Sequence, residues 1–164
     1  MKLSFSPITS SDSTFLSALY NTTRENELAV VPWTEEQKAA FLETQFQAQH
    51  QHYIAKYPTG SFQLIKYDGE NIGRLYLCEL DDEIRIIDIS IMPEFRGKGI
   101  GAKIISDILR DAAKPVRIYL ESFNPSQALF KRLGFAPVSD EGIYHLWEKK
   151  VLEKKSLSAG EKVF

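Results

Sequence analysis

The period of the apolar positions changes along the chain, and the changes mark its elements. Residues 3–8 alternate apolar and polar, which predicts a short strand ended by Pro7. From Asp12 to about Arg24, Phe15, Leu16 and Leu19 fall at helical spacing, with Ser10, Ser11 and Asp12 as N-cap candidates. Residues 25–33, "ENELAVVPW", break that pattern. Thr34 followed by Gln37 forms a capping box, so a second helix starts there and runs to about Tyr57, before Pro58 and Gly60. Its apolar line is Ala39, Leu42, Phe46, Tyr53 and Tyr57.

The period then shortens. Phe62, Leu64 and Ile65 lead into Asp68-Gly69, a hairpin turn signal, and residues 72–80 form the returning strand. Acidic residues 81–83 make the next turn. Residues 84–92, "IRIIDISIM", are apolar on both faces, as in a central strand covered on each side. A glycine-rich loop follows, then helical spacing over residues 102–113 and a strand over 116–120. Asn124 and Pro125 suit the N-cap and first position of a short helix ending at Gly134. Residues 135–138 and 143–147 make a last hairpin around Asp140-Glu141-Gly142. The order β-α-α-β-β-β-α-β-α-β-β predicts a mixed α/β fold with helices on both faces of one sheet. Residues 1–152 form a single domain in this reading, and residues 153–164 a loose tail.

Composition narrows the setting. The hydrophobic share of 43% and net charge of -2 are ordinary for a globular chain and point away from nucleic acid and membrane partners. The single cysteine, Cys78, allows no internal disulfide and reads as a buried strand thiol. His50 and His52 point different ways on a helix and His145 stands apart, so no metal cluster is expected. The start of the chain has no unbroken apolar signal region, and the expectation is a cytoplasmic protein.

The glycine loop carries the chemistry. It reads "FRGKGIGAK" from Phe95 to Lys103. Alternate glycines let backbone approach an anion, and the helix that follows offers free N–H groups and the positive end of its dipole. A Walker loop is excluded, because Ile104 stands where the magnesium-binding hydroxyl belongs. A dinucleotide loop fits Gly97, Gly99 and Ala102, with Glu121 as the ribose acid, and leaves an NAD(P) enzyme as a remote alternative.

Arg96-x-x-Gly99-x-Gly101 after a strand ending Ile91-Met92-Pro93 resembles the coenzyme A loop of the GNAT superfamily of N-acetyltransferases. "FNPSQALFKRLGF", Phe123 to Phe135, resembles that family's second signature. The resemblance implies a mostly antiparallel sheet of six to seven strands and acetyl-CoA as cosubstrate. It implies that the pyrophosphate rests on the backbone of Gly97, Lys98, Gly99, Ile100 and Gly101, with Arg96 at its edge. The pantetheine would run beside Ile89, Ser90, Ile91 and Met92, where strands four and five splay apart, and Asn124 would touch the same arm. Phe130 falls in the cofactor site where the family usually carries a tyrosine acid.

Strand alternation puts Ile84, Ile86, Asp88 and Ser90 on one face. A carboxylate among isoleucines is desolvated and suits a general base, which makes Asp88 the catalytic candidate; Glu79, Glu83 and Glu121 are weaker ones. Trp33 is the candidate wall of the acceptor groove. These readings describe an enzyme that moves an acetyl group directly to a primary amine of a small molecule or peptide. A non-catalytic acyl-CoA-binding or sensing domain is the alternative. The edge of the terminal hairpin is one that a second copy of the chain can pair with, giving a homodimer.

Overall fold

The computed structural model describes residues 2–151. The expected tail lies outside them. The elements are β1 (Leu3–Pro7), α1 (Ser13–Ala29), α2 (Glu35–Lys56), β2 (Ser61–Tyr67), β3 (Glu70–Glu79), β4 (Ile84–Ile91), α3 (Ile100–Asp111), β5 (Val116–Glu121), α4 (Gln127–Arg132), β6 (Ala136–Glu141) and β7 (Tyr144–Lys149). Short 3-10 turns at Ser10–Asp12 and Pro93–Phe95 precede α1 and the glycine loop. The strands form one sheet in the order β1-β2-β3-β4-β5-β7-β6. Among the described residues only β4 and β5 run parallel, joined through α3. The expected mixed sheet with helices on both faces is what the chain forms.

The two faces are packed differently. On one, Ile65, Ile72 and Leu75 meet Ile100 and Ile104 of α3, and Ile86, Ile118 and Leu120 meet Ile105, Phe130 and Phe135. On the other, Leu64 meets Leu16, Tyr20 and Leu28 of α1 and Leu42 and Phe46 of α2. Each of these buried aliphatics contributes about 1.5–3 kcal/mol relative to exposure.

Several boundaries differ from the sequence reading, among them those of α1, α4 and β6. Helix α1 continues to Ala29 rather than stopping near Arg24. The extra turn is held by the Arg24–Glu27 pair at 2.9 Å and by Leu28, which is buried against α2. Helix α4 has Ser126 as N-cap, so Pro125 precedes the helix. Asn124 instead accepts from Ser126 N at 2.8 Å and Ser126 Oγ at 2.7 Å, an Asx turn that aims the chain into α4. Strand β6 runs through Glu141, leaving Gly142 with φ 84° at the turn. The capping box of α2 is formed as expected: Gln37 N donates to Thr34 Oγ1 at 3.1 Å and Thr34 N donates to Gln37 Oε1 at 3.0 Å.

Candidate cofactor and acceptor site

Strands β4 and β5 begin side by side and then part. Ile84 pairs with Val116, Arg85 with Arg117 and Ile86 with Ile118, and no later pair joins them among the described residues. The cause lies one strand away. Against β3, Ile86 faces Leu77 but Asp88 faces Tyr76, so β4 carries one extra residue, Ile87. A bulge of this kind bends the strand and increases its twist. Here it turns β4 away from β5 just past Ile86. Residues 87–91 therefore border an open wedge, with Tyr119, Leu120 and Glu121 on the other side.

The glycine loop sits at the mouth of that wedge. Gly97 and Gly99 have φ of 73° and 81°, and a Cβ at either would meet nothing within 4 Å. Backbone conformation, not space, requires glycine at both. Gly99 is the N-cap of α3 and has no side chain to cap it. The first amides of α3 are left facing outward, beside the positive end of the helix dipole. Lys98 lies over the Phe95 ring at 5.7 Å.

Arg96 is fastened by two hydrogen bonds. Its Nε donates to Ile91 O at 2.7 Å and its Nη2 to Thr22 Oγ1 at 3.1 Å. The guanidinium ties the end of β4 to α1. Met92 is anchored as well, its N–H donating to Ile72 O at 2.7 Å.

Asp88 is the main correction. The extra residue at Ile87 reverses the alternation, so Ile89 and Ile91 join Ile84 and Ile86 on the α3 face. Asp88 and Ser90 turn to the α1/α2 face. Asp88 Oδ2 there accepts from Arg74 Nε at 2.5 Å and from Ser90 Oγ at 2.9 Å. It is an ion-paired carboxylate, not one stranded among isoleucines. Arg74 is only 3% exposed and also donates to Gln49 Oε1 of α2 at 2.7 Å.

Glu121 has the environment that alternation had assigned to Asp88. Val116, Ile118 and Leu120 of β5 are buried toward α3, so Glu121 lies on the α1/α2 face, at the open end of the wedge. It is half-buried. Burial pushes its carboxyl up from the usual range, Glu27 pushes the same way, and Arg24 pulls it down. Arg24 is itself held by Tyr20, whose hydroxyl accepts at 2.8 Å. Across the ladder from Glu121 stands Tyr144 of β7, half exposed.

The remaining candidates divide. Phe130 is 2% exposed, edge-on to Phe135 at 5.1 Å, and belongs to the core under α4 rather than to an accessible cofactor surface. Trp33 is 41% exposed beside Phe41 in the α1–α2 connector, open to a ligand. Gly73 was not singled out by sequence. A Cβ there would lie 2.2 Å from Ser90 O, so only glycine lets β3 approach the end of β4 this closely. Among the described residues, no three His, Cys, Asp or Glu side chains gather as a metal site. No helix among them is long and apolar enough to cross a membrane.

The sequence profile of the acetyltransferase (GNAT) family matches residues 18–135. The chain belongs to the acetyltransferase (GNAT) family. This GNAT chain is 26% identical over 91 residues to a Bacillus subtilis (strain 168) protein described as a candidate ribosomal protein bS18-alanine N-acetyltransferase, covering 52% of this chain and 60% of that protein. It therefore spans less than two thirds of that curated relative. Among solved structures, the PaiA N-acetyltransferase of Thermoplasma acidophilum in complex with coenzyme A superposes with a TM-score of 0.69 at 17% identity, over 92% of this chain and 99% of that one. A GNAT family acetyltransferase from Elizabethkingia anophelis with acetyl-CoA bound gives 0.55 at 20% identity, over 91% and 98%. At these identities the likeness concerns the fold. It also removes the dinucleotide alternative, since a GNAT sheet with a single parallel pair is not a doubly wound one.

Proposed function

We propose that the chain is an acetyl-CoA-dependent N-acetyltransferase acting by direct transfer on a primary amine of a small molecule or peptide. The observation that carries the reading is the parting of β4 from β5 with an uncapped, glycine-initiated helix at its mouth. The wedge offers the backbone of residues 87–91 to an extended pantetheine chain, as an edge strand offers itself to a peptide. The outward amides of residues 99–102 suit its pyrophosphate. When bound, acetyl-CoA supplies an activated acyl group, and everything else falls to the chain.

Glu121 is the base in this proposal. An amine enters from the α1/α2 face, between Glu121 and the connector that carries Trp33. The carboxylate takes the ammonium proton, and the upward push from burial brings its basicity nearer to neutral pH. The free amine then forms the N–C bond as the C–S bond breaks. The second amine proton, shed as the new amide forms, passes to the departing thiolate, whose conjugate acid titrates near ~8.5, so no acid from the protein is required. That chemistry removes the need for a tyrosine where Phe130 stands.

The test is release of free thiol from acetyl-CoA across a panel of amines. The panel includes peptides that begin with alanine, since alanine is the residue in the name of the Bacillus relative. Turnover that is lost in Glu121→Gln, with coenzyme A binding kept, supports the proposal. Tight coenzyme A binding with no turnover on any amine favours the non-catalytic acyl-CoA-binding reading.

A further inference from the structure

We infer that Arg74 and Asp88 form a register pin that holds the bulge of β4, and with it the wedge between β4 and β5. The inference rests on the cofactor reading above. It concerns positioning, since neither side chain is placed on a reacting atom.

The need for a pin is visible in the sequence itself. "IIDISI" is apolar at nearly every position, so hydrophobic burial alone discriminates weakly between the observed register and one shifted by a residue. In the unbulged register, Asp88 shares a face with Ile84 and Ile86 and points under α3. In the observed one, Ile87 is the extra residue, and Asp88 meets Arg74 on the opposite face. Arg74 is fixed independently of β4. It is 3% exposed, lies over the Tyr76 ring at 4.6 Å and donates to Gln49 of α2 at 2.7 Å. A slip of β4 takes the carboxylate away and leaves this buried guanidinium without its counter-charge. The same slip puts a carboxylate among the isoleucines under α3. Both penalties fall on the wrong register, and the right one is the register in which β4 leaves β5 after Ile86.

Calorimetric titration with coenzyme A tests the pin on three chains. Native chain that takes up no coenzyme A refutes the cofactor reading and the pin with it. With native binding in hand, the double variant Arg74→Met/Asp88→Leu removes both charges and leaves no buried ion alone. It is expected to stay folded by circular dichroism and to bind coenzyme A at least about tenfold more weakly, which is ~1.4 kcal/mol. Native-like affinity in the folded double variant overturns the pin while leaving the cofactor reading intact. Asp88→Asn keeps a hydrogen-bond acceptor for Arg74. With the counter-charge gone but the acceptor kept, it is expected to bind coenzyme A more weakly than native chain while leaving the acid limb of the kcat/KM profile unshifted. Collapse of kcat with loss of that limb makes Asp88 a base and overturns the positioning role. If neither variant folds, cross-strand NMR contacts in the native chain decide. Tyr76 opposite Asp88 with Leu77 opposite Ile86 supports the pin, and an unbulged ladder refutes it.

Discussion

Gly73→Ala is a one-carbon change that acts on the cofactor site from behind. Gly73 lies in β3 opposite Ile91, and its added Cβ would stand 2.2 Å from Ser90 O and 3.2 Å from Ile91 Cα. Both neighbours are backbone, so no rotamer relieves the overlap. To reach even 3.0 Å the end of β4 retreats by about 0.8 Å, and overpacking of this kind costs about 1–3 kcal/mol. For a chain of this size each kcal/mol lowers Tm by about 2–4 °C, so a fall of roughly 2–12 °C is expected. The functional loss is expected to be larger. The displaced segment borders the wedge, and a misplacement near 1 Å can cost about 10²-fold in rate. Thermal unfolding with and without coenzyme A, together with kcat/KM for acetyl-CoA, measures both. A variant with native Tm, native coenzyme A shift and native kcat/KM refutes the argument that β3 sets the position of β4.

Other perturbations separate the parts of the site. Gly99→Ala meets no neighbour and pays only for its left-handed backbone, about 1–2 kcal/mol; Gly99→Asp adds a negative charge beside the α3 amides, so titration should show coenzyme A affinity falling further than for Ala. Thr22→Val removes the distal partner of Arg96, and if Arg96 works as a tie between α1 and β4, this variant weakens coenzyme A binding in the same direction as Arg96→Ala. A silent Thr22→Val beside a damaged Arg96→Ala returns Arg96 to a phosphate role. Glu121→Gln is expected to lower kcat by about 10²–10⁴-fold and to flatten the acid limb of kcat/KM. Its stability effect has the opposite sign. The folded carboxyl is pushed above its unfolded value, so ionisation costs stability once pH rises through that raised pKa. Chemical denaturation should find Glu121→Gln more stable than native chain at neutral pH, with the gain vanishing below about pH 4, under the unfolded value.

What could be read from sequence was what depends on near neighbours. The α2 capping box, the Asp68-Gly69 turn and the glycine loop are each decided within a few residues. The loop's conformation followed from its own sequence, and Gly97 and Gly99 do adopt the left-handed region. Other features depend on distant partners. The last turn of α1 exists because Leu28 finds α2. The bulge at Ile87 is a relation between β4 and β3, and alternation within "IRIIDISIM" cannot show it. That single extra residue moved Asp88 to the other face. Glu121 read only as one of the weaker base candidates, because its closeness to Arg24 and Glu27 arises only when α1 packs over the sheet. Gly73 read as an ordinary glycine in a strand, since the Ser90 carbonyl it admits belongs to the next strand.

The central claim is that the parted strands and the glycine loop together hold coenzyme A. The most direct measurement is a titration of the isotope-labelled chain with coenzyme A, followed through its backbone amide NMR signals. The account predicts the largest shifts at residues 89–92 and 97–102, on both sides of the wedge mouth. Saturable shifts confined to other surfaces, or none at millimolar coenzyme A, would contradict it.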